Sequence, residues 1–158
     1  MATVRLSSVI ERPAEEIFDL VADIRRNPEW CPAFGEAEKL TAGPVGPDTE
    51  FRTSLRGMGD LQIGITQYQR PWRIWFTTGA KMAEIRHNFV FTPGEGGTYV
   101  EQEVDVRPRG VLRLVAPVMA RMLKRSIQSN TAALKTYLES GAQAGAVAPK
   151  ARHVETGA

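Results

Sequence analysis

Residues 110–140, GVLRLVAPVMARMLKRSIQSNTAALKTYLES, decide the fold. Pro117 lies inside this run, so a short lead-in turn followed by a fresh helix start is expected there. From that point helical spacing reaches Glu139, and Gly141 is placed to cap the C-terminus. About 20 residues at 1.5 Å each make a rod roughly 30 Å long, enough to cross a whole β-sheet. Arg121, Lys124, Arg125, Gln128 and Lys135 share one face. Met119, Met122, Leu123, Ile127, Ala133, Leu134 and Tyr137 fall broadly on the other. A helix with an apolar stripe needs an apolar surface to lie against.

The chain upstream supplies that surface. In residues 99–106, Val100, Gln102, Val104 and Val106 alternate with Glu101, Glu103 and Asp105. In residues 83–91, Ile85, His87, Phe89 and Phe91 alternate with Glu84, Arg86 and Asn88. Leu61, Ile63 and Ile65 alternate in the same way, as do Phe51, Thr53 and Leu55. Residues 73–78 are rich in aromatic and β-branched side chains on both faces, so alternation alone leaves open which face is inward. Turn clusters such as Gly57-Met58-Gly59-Asp60 and Pro93-Gly94-Glu95-Gly96-Gly97 separate the strands at hairpin spacing. The sheet is therefore expected to be antiparallel, with one buried and one wet face.

Ahead of the sheet, residues 4–10 alternate as a half-buried strand, with Val4, Leu6, Ser8 and Ile10 on one face. Pro13 then opens a helix, Glu15 and Glu16 favour its dipole, and Ile17, Leu20, Val21 and Ile24 form its stripe. Asn27-Pro28 ends it, Trp30-Cys31-Pro32 forms a loop, and residues 34–40 read as a further strand.

Composition narrows the function classes. The chain has 158 residues, the size of one domain, with 20 Lys and Arg against 18 Asp and Glu. A surplus of +2 is no nucleic-acid footprint. Cys31 is the single cysteine, so no intramolecular disulfide forms, which favours a reducing compartment. The N-terminus does not read as a signal peptide, and no apolar run is long enough to span a bilayer, so a cytoplasmic protein without an integral membrane segment is expected. One Cys and two His leave no metal-ligand spacing, and there is no glycine-rich phosphate loop or nucleophile elbow, so no metal or cofactor is expected. A monomer or weak homodimer is the default.

Several local patterns in this order resemble the SRPBCC superfamily (START-like, helix-grip fold), in its polyketide cyclase/dehydrase and lipid-transport branch. They are residues 10–18, Ile-Glu-Arg-Pro-Ala-Glu-Glu-Ile-Phe; Asp23 with Pro28-Glu29-Trp30; the turn 94–97 followed by Thr98; and Leu134-Lys135-Thr136-Tyr137-Leu138-Glu139. The resemblance covers roughly residues 3–140. It implies an α+β helix-grip fold: a curved antiparallel β-sheet wrapped around a long C-terminal α-helix, with a hydrophobic cavity between them. One domain over residues 1–140 and a disordered tail over 141–158 are expected. The family includes ligand carriers, cyclases and dehydratases, and no catalytic set of a characterised cyclase maps onto this sequence residue by residue.

The residues expected to meet a small hydrophobic ligand (lipid-, aromatic- or polyketide-like) are Phe51, Ile63, Trp75, Phe76, His87, Phe89, Gln102, Val104, Met119, Met122, Ser126 and Asn130. Ser126 and Asn130, four apart, are either polar points toward a ligand or locally bonded helix residues. His87 is in phase with Ile85 and Phe89 and is either a satisfied core histidine or an acid/base. It lies near Gln102 of the next strand, and such a polar spot fixes the orientation of an apolar ligand. Catalysis by a polyketide cyclase/aromatase or dehydratase, with His87 as acid/base, is the alternative to binding alone. The carboxylates of Glu101, Glu103 and Asp105 and the basic stripe of the last helix read as solvated faces, and Cys31 as structural.

Overall fold

A computed structural model describes residues 2–141. Seven antiparallel strands form one curved sheet: β1 (Ala2–Ile10), β2 (Glu38–Lys39), β3 (Glu50–Leu55), β4 (Gly59–Gln69), β5 (Arg73–Gly79), β6 (Ala83–Gly94) and β7 (Gly97–Pro108). Their spatial order is β1-β7-β6-β5-β4-β3-β2. Every neighbour but one is a hairpin partner; β1 instead joins the far side of β7, with Val4 opposite Val104 and Ile10 opposite Thr98. A bulge between Ile65 and Gln67 breaks the register of β4 with β5, a device that bends a sheet.

Helix α1 (Ala14–Ala22) follows Pro13 and buries Ile17, Phe18, Leu20 and Val21 against the sheet. A 3-10 segment, Ile24–Glu29, continues it, capped by the Asp23 carboxylate accepting from Arg25 N–H. The strand expected over residues 34–40 is mostly absent. Phe34 makes only an isolated bridge to Leu55, and Glu38–Lys39 alone pairs with β3, because the residues between them keep no alternation to hold a longer ladder.

The expected break before the last helix is present. Gly110–Val115 form a 3-10 turn, and α2 (Ala116–Glu139) then starts with Pro117 in its first turn, where a missing N–H costs nothing. At 24 residues α2 is longer than expected, because the fresh start lies immediately before Pro117. Ile127, Thr131, Leu134 and Leu138 form its buried stripe. Gly141 follows the helix at φ +75°, a conformation glycine adopts freely.

The C-terminal half of α2 is bolted to the corner between β1 and α1. Glu139 Oε2 accepts from Glu11 N–H at 2.8 Å, Leu138 O accepts from Arg12 Nε at 2.9 Å, and Lys135 Nζ donates to the Val9 carbonyl. By contrast, no side chain of α2 before Ile127 is buried. The helix is thus clamped at its C-terminal end. Of residues 141–158, read above as a disordered tail, only Gly141 is described; 142–158 lie outside the described residues.

Candidate functional site

Strand alternation aims one row of side chains from each central strand at α2. From β4 these are Leu61 and Ile63, from β5 Phe76 and Thr78, from β6 Ile85, His87 and Phe89, and from β7 Gln102 and Val104. The helix returns Leu123, Ser126, Ile127, Asn130, Thr131 and Leu134. Val21, Ile24, Asn27, Trp30 and Phe34 close the side beneath α1, while Leu55 and Met58 stand at the β3–β4 hairpin. These residues enclose a cavity of about 190 Å³. The walls are mostly apolar. Ser126 is exposed, while Met58, Phe34 and Leu123 are half-buried, so the opening lies between the hairpin tip and the first half of α2.

Four of the expected wall residues lie elsewhere. Trp75 points to the outer face, because the alternation of β5 turns Ile74, Phe76 and Thr78 inward; its ring instead sits under the Arg73 guanidinium, 5.9 Å from the ring centre. Phe51 faces inward but is fully packed into the core. Met122 is 67% exposed, on the side of α2 away from the sheet, and Met119 is half-buried outside the cavity. Ile63, Phe76, His87, Phe89, Gln102, Val104, Ser126 and Asn130 are brought together around the cavity.

One polar chain crosses the apolar wall. The Thr131 hydroxyl donates to Ile127 O at 2.7 Å, its oxygen accepts from Gln102 Nε2 at 2.8 Å, and Gln102 Oε1 lies 3.0 Å from His87 Nε2. The direction is fixed from the helix end. The Thr131 proton is committed to a carbonyl, so the Gln102 amide must donate to Thr131 and turn its oxygen toward His87. His87 therefore carries its proton on Nε2, which leaves Nδ1 as a bare acceptor. Burial pushes the imidazole down to about 4, against the opposing effect of the Gln102 hydrogen bond, so the ring is neutral at pH 7. Phe89 stacks on it, with ring centres 4.2 Å apart. His87 is enclosed by protein yet retains some accessible surface, and that surface belongs to the cavity wall.

Asn130 is the second polar point. Its Oδ1 accepts from the buried Cys31 thiol at 3.4 Å, tying the loop after the 3-10 segment to α2. The 3-10 segment before that loop is held by Tyr137, whose hydroxyl donates to Glu29 Oε1 at 2.5 Å, and by the Arg26–Glu29 ion pair at 3.0 Å. Asn27 Oδ1 and Trp30 Nε1 on this wall are buried without a hydrogen-bond partner among the described residues.

Thr131, Asn27 and Trp30 were not among the residues expected at the cavity. Thr131 carried a usable signal, since it falls on the stripe between Ile127 and Leu134. Asn27 and Trp30 carried none beyond their place in a loop.

A seven-stranded sheet clasping one long helix around an apolar cavity fits the family described as polyketide cyclase / dehydrase and lipid transport, which matches residues 1–139. The chain belongs to that family. Membership supports a hydrophobic-ligand-binding or cyclase role. Among curated proteins none matches the sequence. Solved structures match the fold at low identity. A START superfamily protein from Mycobacterium smegmatis has TM-score 0.77 at 16% identity, over 89% of this chain and 99% of that one. The di-domain ARO/CYC BexL from the BE-7585A biosynthetic pathway has TM-score 0.73 at 19% identity, over 90% of this chain and 48% of that one. Ara h 8.0201 has TM-score 0.69 at 19% identity, over 87% of this chain and 97% of that one. At such identities the likeness is one of fold. No helix among the described residues is long and apolar enough to cross a membrane.

Proposed function

We propose that this chain binds a small, ring-sized hydrophobic molecule bearing one hydroxyl, with the ring against Phe76 and Phe89 and the hydroxyl donating to His87 Nδ1. The observation that carries this is the polar chain from Ile127 O through Thr131 and Gln102 to His87 Nε2, which leaves Nδ1 as a ring acceptor without a protein partner among the described residues, on a side chain that lines the cavity. Volume sets the ligand size. At about 190 Å³ the space is below the roughly 300–1,000 Å³ of drug-sized sites, and about 150 Å³ suffices for benzene. One ring, or two fused rings, fits inside this volume; a lipid chain or a full-length polyketide would extend out through the opening.

A second reading is supported by the same nitrogen. A neutral imidazole with a bare Nδ1 facing an apolar cavity can take a proton from a bound enol or phenol, as a cyclase/aromatase or dehydratase would need. The depressed basicity of His87 counts against it, since a base near 4 is weak compared with the value near the working pH that proton abstraction favours.

Thermal shift across a panel of phenols, naphthols and their methyl ethers tests both. Binding raises Tm with concentration, the free hydroxyl is preferred over its ether, and His87→Phe abolishes that preference. Equal shifts for phenol and ether would remove His87 from recognition. Turnover of a reactive polyketone that survives in His87→Phe would remove it from catalysis.

A further inference from the structure

The face of the molecule around the start of α2 is chemically unlike the rest. Val111, Leu114, Val118 and Met122 are 79%, 86%, 61% and 67% exposed, and Val115 stands among them. They are not strays from the core. Val118 and Ile127 are nine residues apart, two and a half turns, so Val118 points directly away from the sheet. The outward positions farther along the same helix are polar or small: Gln128, Ser129, Ala132 and Thr136. Along the turn and α2, the exposed large apolar side chains are thus confined to the 3-10 turn and the first two turns of the helix. A contiguous apolar patch of this kind marks an interaction surface.

Charge says what covers it. Seven of the chain's 20 Lys and Arg, and none of its 18 Asp and Glu, fall between Val106 and Leu138. The whole chain is only +2, so the remainder is net acidic. Arg107, Arg109, Arg113, Arg121, Lys124 and Arg125 are all exposed, and none makes an ion pair among the described residues. Apolar side chains pointing outward from a stretch of chain whose charges are all cationic match an anionic bilayer surface, where the apolar groups enter the headgroup boundary and the cations meet phosphates.

We infer that the Gly110–Val115 turn and the first two turns of α2 form a docking surface for anionic lipid bilayers. This holds whether or not the cavity takes the ligand proposed above. Docked in this way, the cavity edge at Leu123 and Ser126 lies beside the bilayer, one turn from Met122. The protein then sits on the membrane surface without crossing it.

Co-sedimentation of the full chain with vesicles tests this. Vesicles of phosphatidylcholine containing roughly one-third phosphatidylserine should bind it, and pure phosphatidylcholine vesicles should not, with binding lost at high salt. Arg121→Ala/Arg125→Ala should weaken binding about fivefold per charge removed. Val118→Ser/Met122→Ser should weaken it at least about tenfold while leaving Tm unchanged, because both side chains are exposed. Equal binding to neutral and anionic vesicles, or none to either, overturns the inference. So does a dimer in sedimentation equilibrium that Val118→Ser/Met122→Ser dissociates without any vesicle association, since a second copy then covers the patch.

Discussion

His87 Nε2 lies 3.0 Å from Gln102 Oε1, although the two residues are not directly opposite in the ladder. His87 pairs with Val104 and Phe89 with Gln102, so the contact is diagonal, between inward side chains of β6 and β7. The pair is anchored from α2 by Thr131, which joins sheet and helix across the cavity wall.

Thr131→Val keeps the shape of the side chain and removes the acceptor for the Gln102 amide. The expected cost is about 1–3 kcal/mol in chemical denaturation, the penalty of an unpaired buried donor. Nitrogen NMR of the His87 ring should also change, from one Nε2–H tautomer to a mixture. An unchanged tautomer would show that Thr131 does not set the polarity of the chain.

The pH dependence of stability follows from the same ring. The folded protein holds His87 neutral down to about 4, whereas the unfolded chain protonates it near 6.5. Between those values the unfolded state binds more protons, so this contribution to stability is full above 6.5, falls with decreasing pH and levels off below about 4. Its size is on the order of 3 kcal/mol. His87→Phe should remove that slope when urea midpoints are compared between pH 7 and 4; a slope identical to that of the parent chain would contradict the burial of the ring.

Gly97 opens β7 where the Ile10 carbonyl and the Glu11 Cα crowd the position a Cβ would take. Both are backbone atoms and cannot swing aside. Thr98 beside it donates its hydroxyl to Arg12 O at 2.7 Å, so the corner is pinned from two directions. Gly97→Ala is expected to lower stability by about 1–3 kcal/mol, measured by thermal or urea unfolding, while Gly94→Ala, which meets no neighbouring atom, should cost far less.

The placement of Ser126 and Trp75 gives opposite expectations for ligand binding. Ser126 is exposed at the edge of the cavity, so Ser126→Trp should leave stability within about 0.5 kcal/mol and weaken or slow ligand uptake. Trp75 is on the outer face, so Trp75→Ala should leave ligand affinity unchanged. Calorimetry on the two variants checks both statements; lost affinity in Trp75→Ala would contradict the orientation of β5.

The helix-grip architecture was legible because its elements carry clean periods. The alternation in β6 and β7 placed His87 and Gln102 inward, and the apolar face with Leu123, Ile127 and Leu134 placed α2 over them. Trp75 was not legible because β5 is apolar on both faces, and alternation cannot choose between two apolar rows. Met122 misled for a related reason: the start of α2 carries apolar residues on its solvent side, so a periodic reading placed Met122 on the ligand-facing side. Thr131 was overlooked because a hydroxyl on a helix reads as surface, yet bonding to its own Ile127 carbonyl lets it lie buried. The partners of Cys31 and Glu29 on α2, Asn130 and Tyr137, are about a hundred residues away in the chain, and no local pattern announces them.

The most direct test follows the His87 ring nitrogens and the methyls of Ile63, Ile127 and Leu134 by NMR while a phenol or naphthol is titrated in. Saturable binding that moves those methyls and shifts His87 Nδ1, with Nε2 still protonated, is the expected result. No saturable binding by any ring-sized compound, or binding that moves outer-face residues and leaves the His87 nitrogens untouched, would contradict it.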